Sequence, residues 1–440
     1  MTQARDITRT LPFWVMFSVS ILGGISNSAT TPTIPTFVGA TFGGGTELSG
    51  LLISLSAITS IVAMPLGGSL ADRWGYRRVA VAGFALSSSA LALMALVPQL
   101  PASAQLPAAV ASRVLFGLGN AAALALMLTW TVALTAAAQR GKALSIYGLS
   151  VWIGLAAGPQ VATAVMALTA PWVVFAVCAT LELGILLLFW ILPPPSPSTV
   201  ATTTSPIPTV AVGGASVGGA SVGGASVGGV PVRGVRVLAE VVRSVWVPGV
   251  AAAVAWCGEG MMLAFLIVHL GAAGMPAAGA SGAASVFGVF AGSAIVARLL
   301  LARMPDRLGP LRAASISLLF LCAGLATIAL ATSFAIAAVG AVLMGIGFSP
   351  LYPSLTMLAT RGLRSRNRAL GLGMFSSFTS MGLASGALLG GWLLAVAPSM
   401  WAFLLVAGLQ LVALAVLVVF TPDPNPRPRL APGDPVAPLP

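Results

Sequence analysis

The sequence predicts an all-α membrane protein with twelve transmembrane helices, arranged as two parallel-repeat six-helix bundles with both termini in the cytoplasm. Three observations lead to this fold class. Only 7% of the 440 residues are charged and the mean hydropathy is +1.01, whereas about a quarter of the residues in a soluble domain are charged. Apolar runs long enough to cross a bilayer, about 20 residues each, recur along the chain. Basic residues cluster in alternate loops between these runs.

Each apolar run is expected to form a helix, because a helix satisfies all of its backbone N–H and C=O groups inside hydrocarbon. The sequence contains twelve such runs. Their approximate limits are 11–37, 48–71, 79–98, 106–135, 143–167, 171–193, 246–270, 281–303, 312–332, 334–359, 368–396 and 400–420.

The distribution of basic residues predicts the orientation. Lys and Arg precede the first run, occupy every second loop and follow the last run, while the other loops contain neither. By the positive-inside rule, both termini are expected in the cytoplasm and the chain in the cell membrane. The net charge of +12 comes from these short clusters and not from one basic face, so nucleic acid is not an expected partner.

Composition divides the chain into four segments. Residues 1–193 are expected to form the N-terminal bundle and residues 246–421 the C-terminal bundle. The stretch 194–245 is Pro-rich and then Gly/Ser-rich, with the repeat "VGGASVGGASVGGASVGG", and is expected to be a flexible cytoplasmic linker. The Pro-rich tail 422–440 is expected to be disordered.

Repeated phrases indicate that the two halves share one design. "VLFGLG" at 114–119 returns as "VLMGIG" at 342–347, and "GLAAG" at 154–158 returns as "GLASG" at 382–386, both at an offset of 228 residues. Since six runs separate equivalent positions, the halves are expected to have the same orientation in the membrane. Transporters built from such parallel repeats carry the substrate site near the midplane, between the halves.

The phrase "GGSLADRWGYRRV" at 67–79 lies at the end of the second run. It resembles the signature Gly-x-Leu-Ala-Asp-Arg-x-Gly-x-Arg-Arg of the loop between helices two and three in the major facilitator superfamily, and the resemblance covers the chain apart from the linker and tails. It implies a conformational latch whose charges pair when the transporter faces outward; arginines that only fix the topology are the alternative. The latch residues are Gly68, Asp72, Arg73, Gly75, Arg77 and Arg78, with a degenerate second copy at Asp306, Arg307 and Gly309.

Ionisable residues inside the runs are candidates for coupling, since an ionised side chain at the bilayer centre costs about 2.5–3.5 kcal/mol on insertion scales. Arg113 resembles the helix-four arginine that the family ties to proton coupling; a donor that holds helices together is the alternative. The resemblance places helix seven, with Glu259, beside the cavity, and we expect Glu259 to carry a proton or cation; a protonated acid that only packs is the alternative. The resemblance makes helix six peripheral, so Glu182 is either protonated or snorkels, and its role stays open.

Helix five offers a clue to the direction of transport. "GLAAGP", with Gly154, Gly158 and Pro159, resembles the antiporter signature found mainly in exporters of the family. Close packing of helices five and eight through small residues is the alternative.

Polar and aromatic residues in three runs are candidate contacts with a substrate. In the first run these are Asn27 and Thr30, together with Thr31. Trp256 and Tyr352 are candidate stacking surfaces for a ring-bearing substrate.

Together these features predict a secondary transporter that exports a small amphiphilic organic compound, a drug or a metabolite, in exchange for protons. An importer or facilitator of a nutrient such as a sugar or a carboxylate is the alternative, and a non-transporting receptor or scaffold is a further one. An ATP-driven pump is not expected unless a partner supplies the ATPase, because the sequence has no nucleotide-binding P-loop. An enzyme is not expected, because the sequence shows no metal-ligand cluster and no nucleophile–base set. We expect no metal and no cofactor; the expected partners are the lipid bilayer, a small-molecule substrate and protons, and the expected state is a monomer.

Overall fold

The computed structural model describes residues 10–133, 135, 140–189, 235–361, 363 and 367–421. Within these ranges the chain forms twelve long α-helices and no β-strand. The helices are α1 Leu11–Phe42, α2 Thr46–Trp74, α3 Tyr76–Leu96, α4 Ala102–Ala133, α5 Arg140–Leu168, α6 Pro171–Leu188, α7 Val235–Ala272, α8 Ser285–Leu301, α9 Pro310–Ala329, α10 Phe334–Thr360, α11 Arg368–Val396 and α12 Ser399–Phe420. A short helix, Met304–Leu308, precedes α9. Below, α1–α6 are called the first bundle and α7–α12 the second.

Eleven of these helices are long and apolar enough to cross a membrane, and α8 is a shorter apolar helix of 17 residues. The chain before α8, residues 273–284, forms turns instead of a full helical span. At their start, the Met275 N–H donates to Leu270 O at 3.0 Å. The predicted all-α membrane fold is confirmed, although the expected eighth span, 281–303, is an α-helix only over Ser285–Leu301.

The segment boundaries differ from expectation at one place. Helix α7 begins at Val235, so residues 235–245, which were expected in the linker, are helical. Val241 and Val245 in this stretch are fully buried, and their burial extends the helix beyond the expected start of the span. The expected linker positions 194–234 and the tail 422–440 lie outside the described residues.

Glycines bring α4 and α10 close to their neighbours in the same way. On α4, Gly117 faces α2 and Gly119 faces α3; on α10, Gly345 faces α8 and Gly347 faces α9. At each position a Cβ atom would overlap backbone atoms of the neighbouring helix. Small residues of this kind let helix backbones approach closely in a membrane. The two phrases repeated at an offset of 228 therefore occupy equivalent packing positions.

Two glycines of α5 pack against α1. A Cβ atom at Gly154 would lie 2.9 Å from Gly24 Cα, and one at Gly158 would lie 2.7 Å from Ala29 N. Ser28 Oγ also donates to Gly154 O at 2.8 Å. The expectation that these glycines allow helices five and eight to pack closely is therefore wrong, because the close approach is made to α1.

The same contact recurs between α11 and α7. A Cβ atom at Gly386 would lie 2.9 Å from Met261 N, just as one at Gly158 would lie 2.7 Å from Ala29 N. The pair Ala29 and Met261 therefore aligns α1 with α7 at an offset of 232 residues.

The two bundles meet at the end of the protein where α1 ends and α2 begins. Thr46 Oγ1, at the start of α2, donates to Gly391 O near the end of α11 at 2.7 Å. Ser54 Oγ donates to Ala384 O at 2.8 Å, and α5 packs against α8. The structure is thus closed between the bundles at this end.

Candidate functional site

A cavity lies between the two bundles, walled by α1, α2 and α4 on one side and by α7 and α11 on the other. Its hydrogen-bonding side chains all belong to the first bundle, whereas the second contributes a glycine and two leucines. Among the residues that the structure describes, none of the lining side chains is ionised. The lining consists of Asn27, Thr31, Ile53, Ser56, Ala57, Ser60, Phe116, Gly117 and Asn120 from the first bundle, and Gly260, Leu263 and Leu383 from the second.

Two asparagines join this cavity to a buried carboxyl group. Asn27 Nδ2 donates to Asn120 Oδ1 at 2.9 Å, and Asn120 Nδ2 donates to Glu182 Oε1 over a longer distance of 3.4 Å. Ser26 Oγ donates to the same carboxyl oxygen at 2.8 Å. A hydrogen-bonded path therefore runs from the cavity wall on α1 and α4 to α6.

Glu182 lies in the protein interior. Its side chain is fully buried, and its Oε2 makes no hydrogen bond to the described residues. Snorkelling to the membrane surface, one of the two expectations for this residue, is therefore wrong. Sequence reasoning also missed Asn120, for which the available signal was an amide placed inside an apolar run, directly after Gly119.

Arg113 is buried in α4 and bonds to α2. Its Nε donates to Leu52 O at 3.3 Å and its Nη2 donates to Ser56 Oγ at 2.7 Å. The guanidinium carbon lies 4.8 Å from the centre of the Phe116 ring. Since Ser56 and Phe116 line the cavity, Arg113 supports the cavity wall from behind. Its role in proton coupling stays a prediction.

Glu259 is fully buried in α7, so it does not face the acyl chains. The contacts of the glycines on either side of it, Gly258 and Gly260, show which helices lie around Glu259. Gly258 faces α9, where a Cβ atom would lie 2.8 Å from Leu325 Cδ1, and Gly260 faces α11 and lines the cavity. Glu259 is not one of the lining residues, so it lies one position away from the wall. Its role as a proton carrier stays a prediction.

Of the polar residues expected to touch a substrate, Asn27 and Thr31 line the cavity and Thr30 does not. The Thr30 side chain is fully buried and donates to Asn27 O at 2.9 Å. Thr31, one helical turn after Asn27, lies beside it in the cavity wall. Contact between Thr30 and a substrate stays a prediction.

Trp256 and Tyr352 belong to an aromatic cluster between α7, α8 and α10. The Trp256 ring centre lies 5.9 Å from that of Tyr352 and 5.4 Å from that of Phe348. Phe348 in turn lies 5.8 Å from Phe290. Neither Trp256 nor Tyr352 is among the cavity-lining residues. In this structure both pack against other aromatic rings of the second bundle. Stacking on a substrate stays a prediction for both.

The glycines of the two latch copies have one backbone conformation. Gly75 follows α2 with φ 89° and ψ 146°, and Gly309 follows the short helix Met304–Leu308 with φ 82° and ψ 150°. This region is populated almost only by glycine, which explains the residue type in both copies. A Cβ atom at Gly68 would have no atom of another helix within 4 Å among the described residues, so close packing does not explain the glycine there.

Four of the latch charges lie at the protein surface. Asp306 forms no ion pair with the residues that the structure describes, and the side chain of Asp72 is outside the described part. Arg77 is half-buried. The exposed latch residues are Arg73, Arg78, Asp306 and Arg307.

With this geometry in view, the chain can be compared with known proteins. The family model described as Major Facilitator Superfamily matches residues 16–366 and 278–440. The chain belongs to the major facilitator superfamily. The resemblance inferred from the phrase at 67–79 is thereby confirmed.

Bacterial relatives within this superfamily match most of the chain. The MFS-type transporter YhhS of Escherichia coli (strain K12) is 25% identical over 384 residues, which are 87% of this chain and 85% of the relative. An MFS-type transporter of Burkholderia mallei (strain SAVP1) is 27% identical over 352 residues, 80% of this chain and 77% of the relative. Both names state that the relative is uncharacterized, so they give a family and no substrate.

Solved transporter structures share the fold. The nucleoside transporter NupG superimposes with a TM-score of 0.72 at 14% identity, covering 94% of this chain and 100% of that chain. The human organic anion transporter MFSD10 gives a TM-score of 0.61 at 17% identity, covering 94% of this chain and 100% of that one. These structures show the fold, and the family match with its named relatives makes the chain a multi-pass membrane transporter and not an enzyme.

Proposed function

We propose that this transporter is a secondary active exporter of a small amphiphilic organic compound, which it exchanges for protons across the cell membrane. The observation that carries the proposal is the two-sided cavity between the bundles, with a buried carboxyl group close to each wall. Glu182 is hydrogen-bonded to the wall of the first bundle, and Glu259 precedes Gly260 in the wall of the second.

The composition of the lining supports an amphiphilic substrate. Amides and hydroxyls of the first bundle can bind a polar group, while Leu263 and Leu383 offer the opposite side an apolar surface. A carboxylate would need a cation in the cavity, and none lines it among the described residues. A sugar would need polar partners on both sides, because each buried hydroxyl left without a hydrogen bond costs about 1–3 kcal/mol.

Protons supply the driving force in this proposal. One proton crossing about 100 mV of membrane potential yields about 2.3 kcal/mol. That energy holds a roughly fifty-fold concentration gradient of an uncharged compound, at tenfold for each 1.4 kcal/mol. Glu259 is the proposed carrier in the second bundle, and Arg113 supports the cavity wall of the first.

Three features support the transport cycle and its direction. With both termini in the cytoplasm, contacts such as Thr46 with Gly391 close the outer end, which corresponds to an inward-facing state. The exposed charges of Asp306 and Arg307 fit the same state, because the latch is expected to pair when the transporter faces outward. Export rests on the resemblance of Gly154, Gly158 and Pro159 to the antiporter signature. The packing of the two glycines on α1 also explains why these positions are glycine.

Flux in proteoliposomes tests the proposal. We would load vesicles with a panel of amphiphilic amines, sugars and carboxylates and measure movement with and without an imposed pH gradient. We expect a pH gradient to drive the transport of an amphiphilic amine against its own concentration gradient. We expect Glu259→Gln to abolish this pH-driven transport. Glu240→Gln, an exposed position on the same helix, is the matched control.

The same assay separates the alternatives. Gradient-driven flux that survives Glu259→Gln would show that Glu259 is not the carrier. Flux of a sugar or carboxylate that ignores the pH gradient would replace the proposal with a facilitator.

A further inference from the structure

We propose that Glu182 is a second proton-binding site, located in the first bundle, and that Asn120 and Asn27 couple its protonation to occupation of the cavity. The ligand class that would use this coupling is an amphiphile with an N–H or O–H donor. The inference rests on the proposed proton-driven exchange, and it adds a site and a mode of substrate recognition to it.

The position of the carboxyl group is the first step. Glu182 is fully buried, one layer behind the cavity wall, and Asn120 is the single side chain between the carboxyl and Asn27 in the hydrogen-bonded path. A buried acid placed this way contacts neither lipid nor solvent. It is connected to the cavity by hydrogen bonds and not by open space.

The surroundings accommodate both protonation states of the acid. Ser26 and Asn120 donate to Oε1, which can accept as the carbonyl oxygen of the acid or as part of the carboxylate. Ser87 of α3 lies beside the carboxyl group, and its hydroxyl makes no hydrogen bond to the described residues, like Glu182 Oε2. A hydroxyl both donates and accepts. By rotating, the Ser87 hydroxyl can donate to Oε2 of the carboxylate or accept a hydrogen bond from Oε2 of the protonated acid.

The nearby helices provide no cation that compensates an ionised Glu182. Within the described residues, α1 carries no ionisable side chain, and the thiol of Cys178 is the other titratable group on α6. Arg113 on α4 is bonded to α2. The remaining titratable groups on the packed helices are Tyr76, Arg77 and Arg78 in the first turn of α3 and Arg140, Lys142 and Tyr147 on α5. The balance between the two forms of Glu182 therefore depends on its hydrogen-bond donors.

Asn120 is one of these donors, and it also contacts the cavity, so its bond to Glu182 can depend on whether a ligand occupies the cavity. Its Oδ1 has two lone pairs, of which Asn27 uses one. A ligand that donates to the other lone pair polarises the Asn120 amide, and hydrogen bonds in a chain strengthen one another. The bond from Asn120 Nδ2 to Glu182 then stabilises the carboxylate, so ligand binding releases a proton. By linkage, protonation of Glu182 weakens ligand binding to the same degree, which is the sign that exchange requires.

Infrared pH titration of the purified full-length protein in lipid tests the proton site without a substrate. Because Glu259 is also proposed to bind a proton, the titration is run on Glu259→Gln, which lacks that second buried carboxyl group. We expect the carbonyl band of a protonated carboxylic acid in this variant to be lost as the pH rises, and the band to be missing once Glu182→Gln is added. The Glu182→Gln variant should fold, because Gln410, which lies as far from the start of α12 as Glu182 lies from the start of α6, is fully buried in the second bundle. A band that persists at all pH values, or that survives Glu182→Gln, overturns the proposal.

Asn120→Leu tests the coupling in the same measurement. Loss of the Asn120 donor should change both the frequency of the Glu182 band and the pH at which it disappears. Thr33→Val is the control and should leave the band unchanged, because the Thr33 hydroxyl donates to Ala29 O and has no bond to the path. An unchanged band in Asn120→Leu removes the coupling.

Proteoliposome flux then distinguishes this inference from the proposed function. If no amine on the panel moves in response to a pH gradient in the parent protein, proton-driven exchange fails, and the infrared result still decides whether Glu182 binds a proton. If the parent exchanges amines for protons and Glu182→Gln does so with the same pH dependence, the coupling fails while the exchange stands.

Discussion

The two bundles place different chemistry at equivalent positions of the same packing scheme. Asn120 follows Gly119 on α4 where Phe348 follows Gly347 on α10. The offset of 232 that aligns α1 with α7 also pairs Asn27 with Glu259. The first bundle therefore presents amides to the cavity where the second has a ring or an acid.

A further pair lies behind the cavity wall. Glu182 and Gln410 stand at equal distances from the starts of α6 and α12, and both are fully buried. Glu182 accepts from Ser26 of α1 at 2.8 Å, whereas Gln410 Nε2 donates to Val254 O of α7 at 2.9 Å. The comparison teaches that the close-contact glycines of α4 and α5 recur in α10 and α11, while the buried acid has a different place in each half.

The largest effect is expected from filling the equivalent glycine contacts. Gly158→Leu and Gly386→Leu should each abolish most folded protein, because the new side chain overlaps the backbone of α1 or α7, and overpacking costs about 1–3 kcal/mol or more. The yield of monodisperse protein in detergent and the thermal midpoint measure this. Gly184→Leu on α6, with nothing within 4 Å, should behave like the parent. If only one of the two contact variants misfolds, the bundles are not equivalent here.

A smaller effect is expected when the second bundle receives the acid of the first. In Gln410→Glu, an acceptor replaces the amide that donates to Val254 O, and an unpaired buried group costs about 1–3 kcal/mol. The thermal midpoint should fall more at alkaline than at acidic pH, because the protonated acid can still donate. Glu182→Gln is the reciprocal control and should stay within about 1 kcal/mol of the parent. Equal midpoints of Gln410→Glu and the parent at alkaline pH would contradict the expected role of this hydrogen bond.

A change in stability of similar size is expected for Arg113→Ala, which introduces the residue found at the equivalent position of the second bundle, Ala341, at an offset of 228. Two hydrogen bonds to α2 are lost, at about 1 kcal/mol each. Arg113 Nη1, which has no partner among the described residues, is removed as well. If Arg113 takes part in coupling, pH-driven flux should fall more steeply than the thermal midpoint. A lower midpoint with unchanged flux per folded molecule would assign Arg113 to helix packing alone.

The parts of the site that could be predicted from sequence are those with a local or family pattern. Glu259 and Arg113 could be selected as candidates because a charge inside an apolar run is costly; both are buried, and their roles stay predictions. The latch glycines could be selected because their phrase is a signature, and Gly75 and Gly309 share one backbone conformation. Asn120 was missed because a single amide in an apolar run carries little penalty and no pattern.

By itself, the sequence determined a helical membrane transporter with repeated halves, because hydropathy, loop charge and glycine spacing are read along the chain. Only the tertiary structure decided how each helix is rotated about its axis. These helices are apolar on all sides, so no polar face specifies which side turns inward. Packing and hydrogen bonds make that choice: they turn Glu182 towards Ser26 and Asn120, and they place Gly158 on α1 and not on α8.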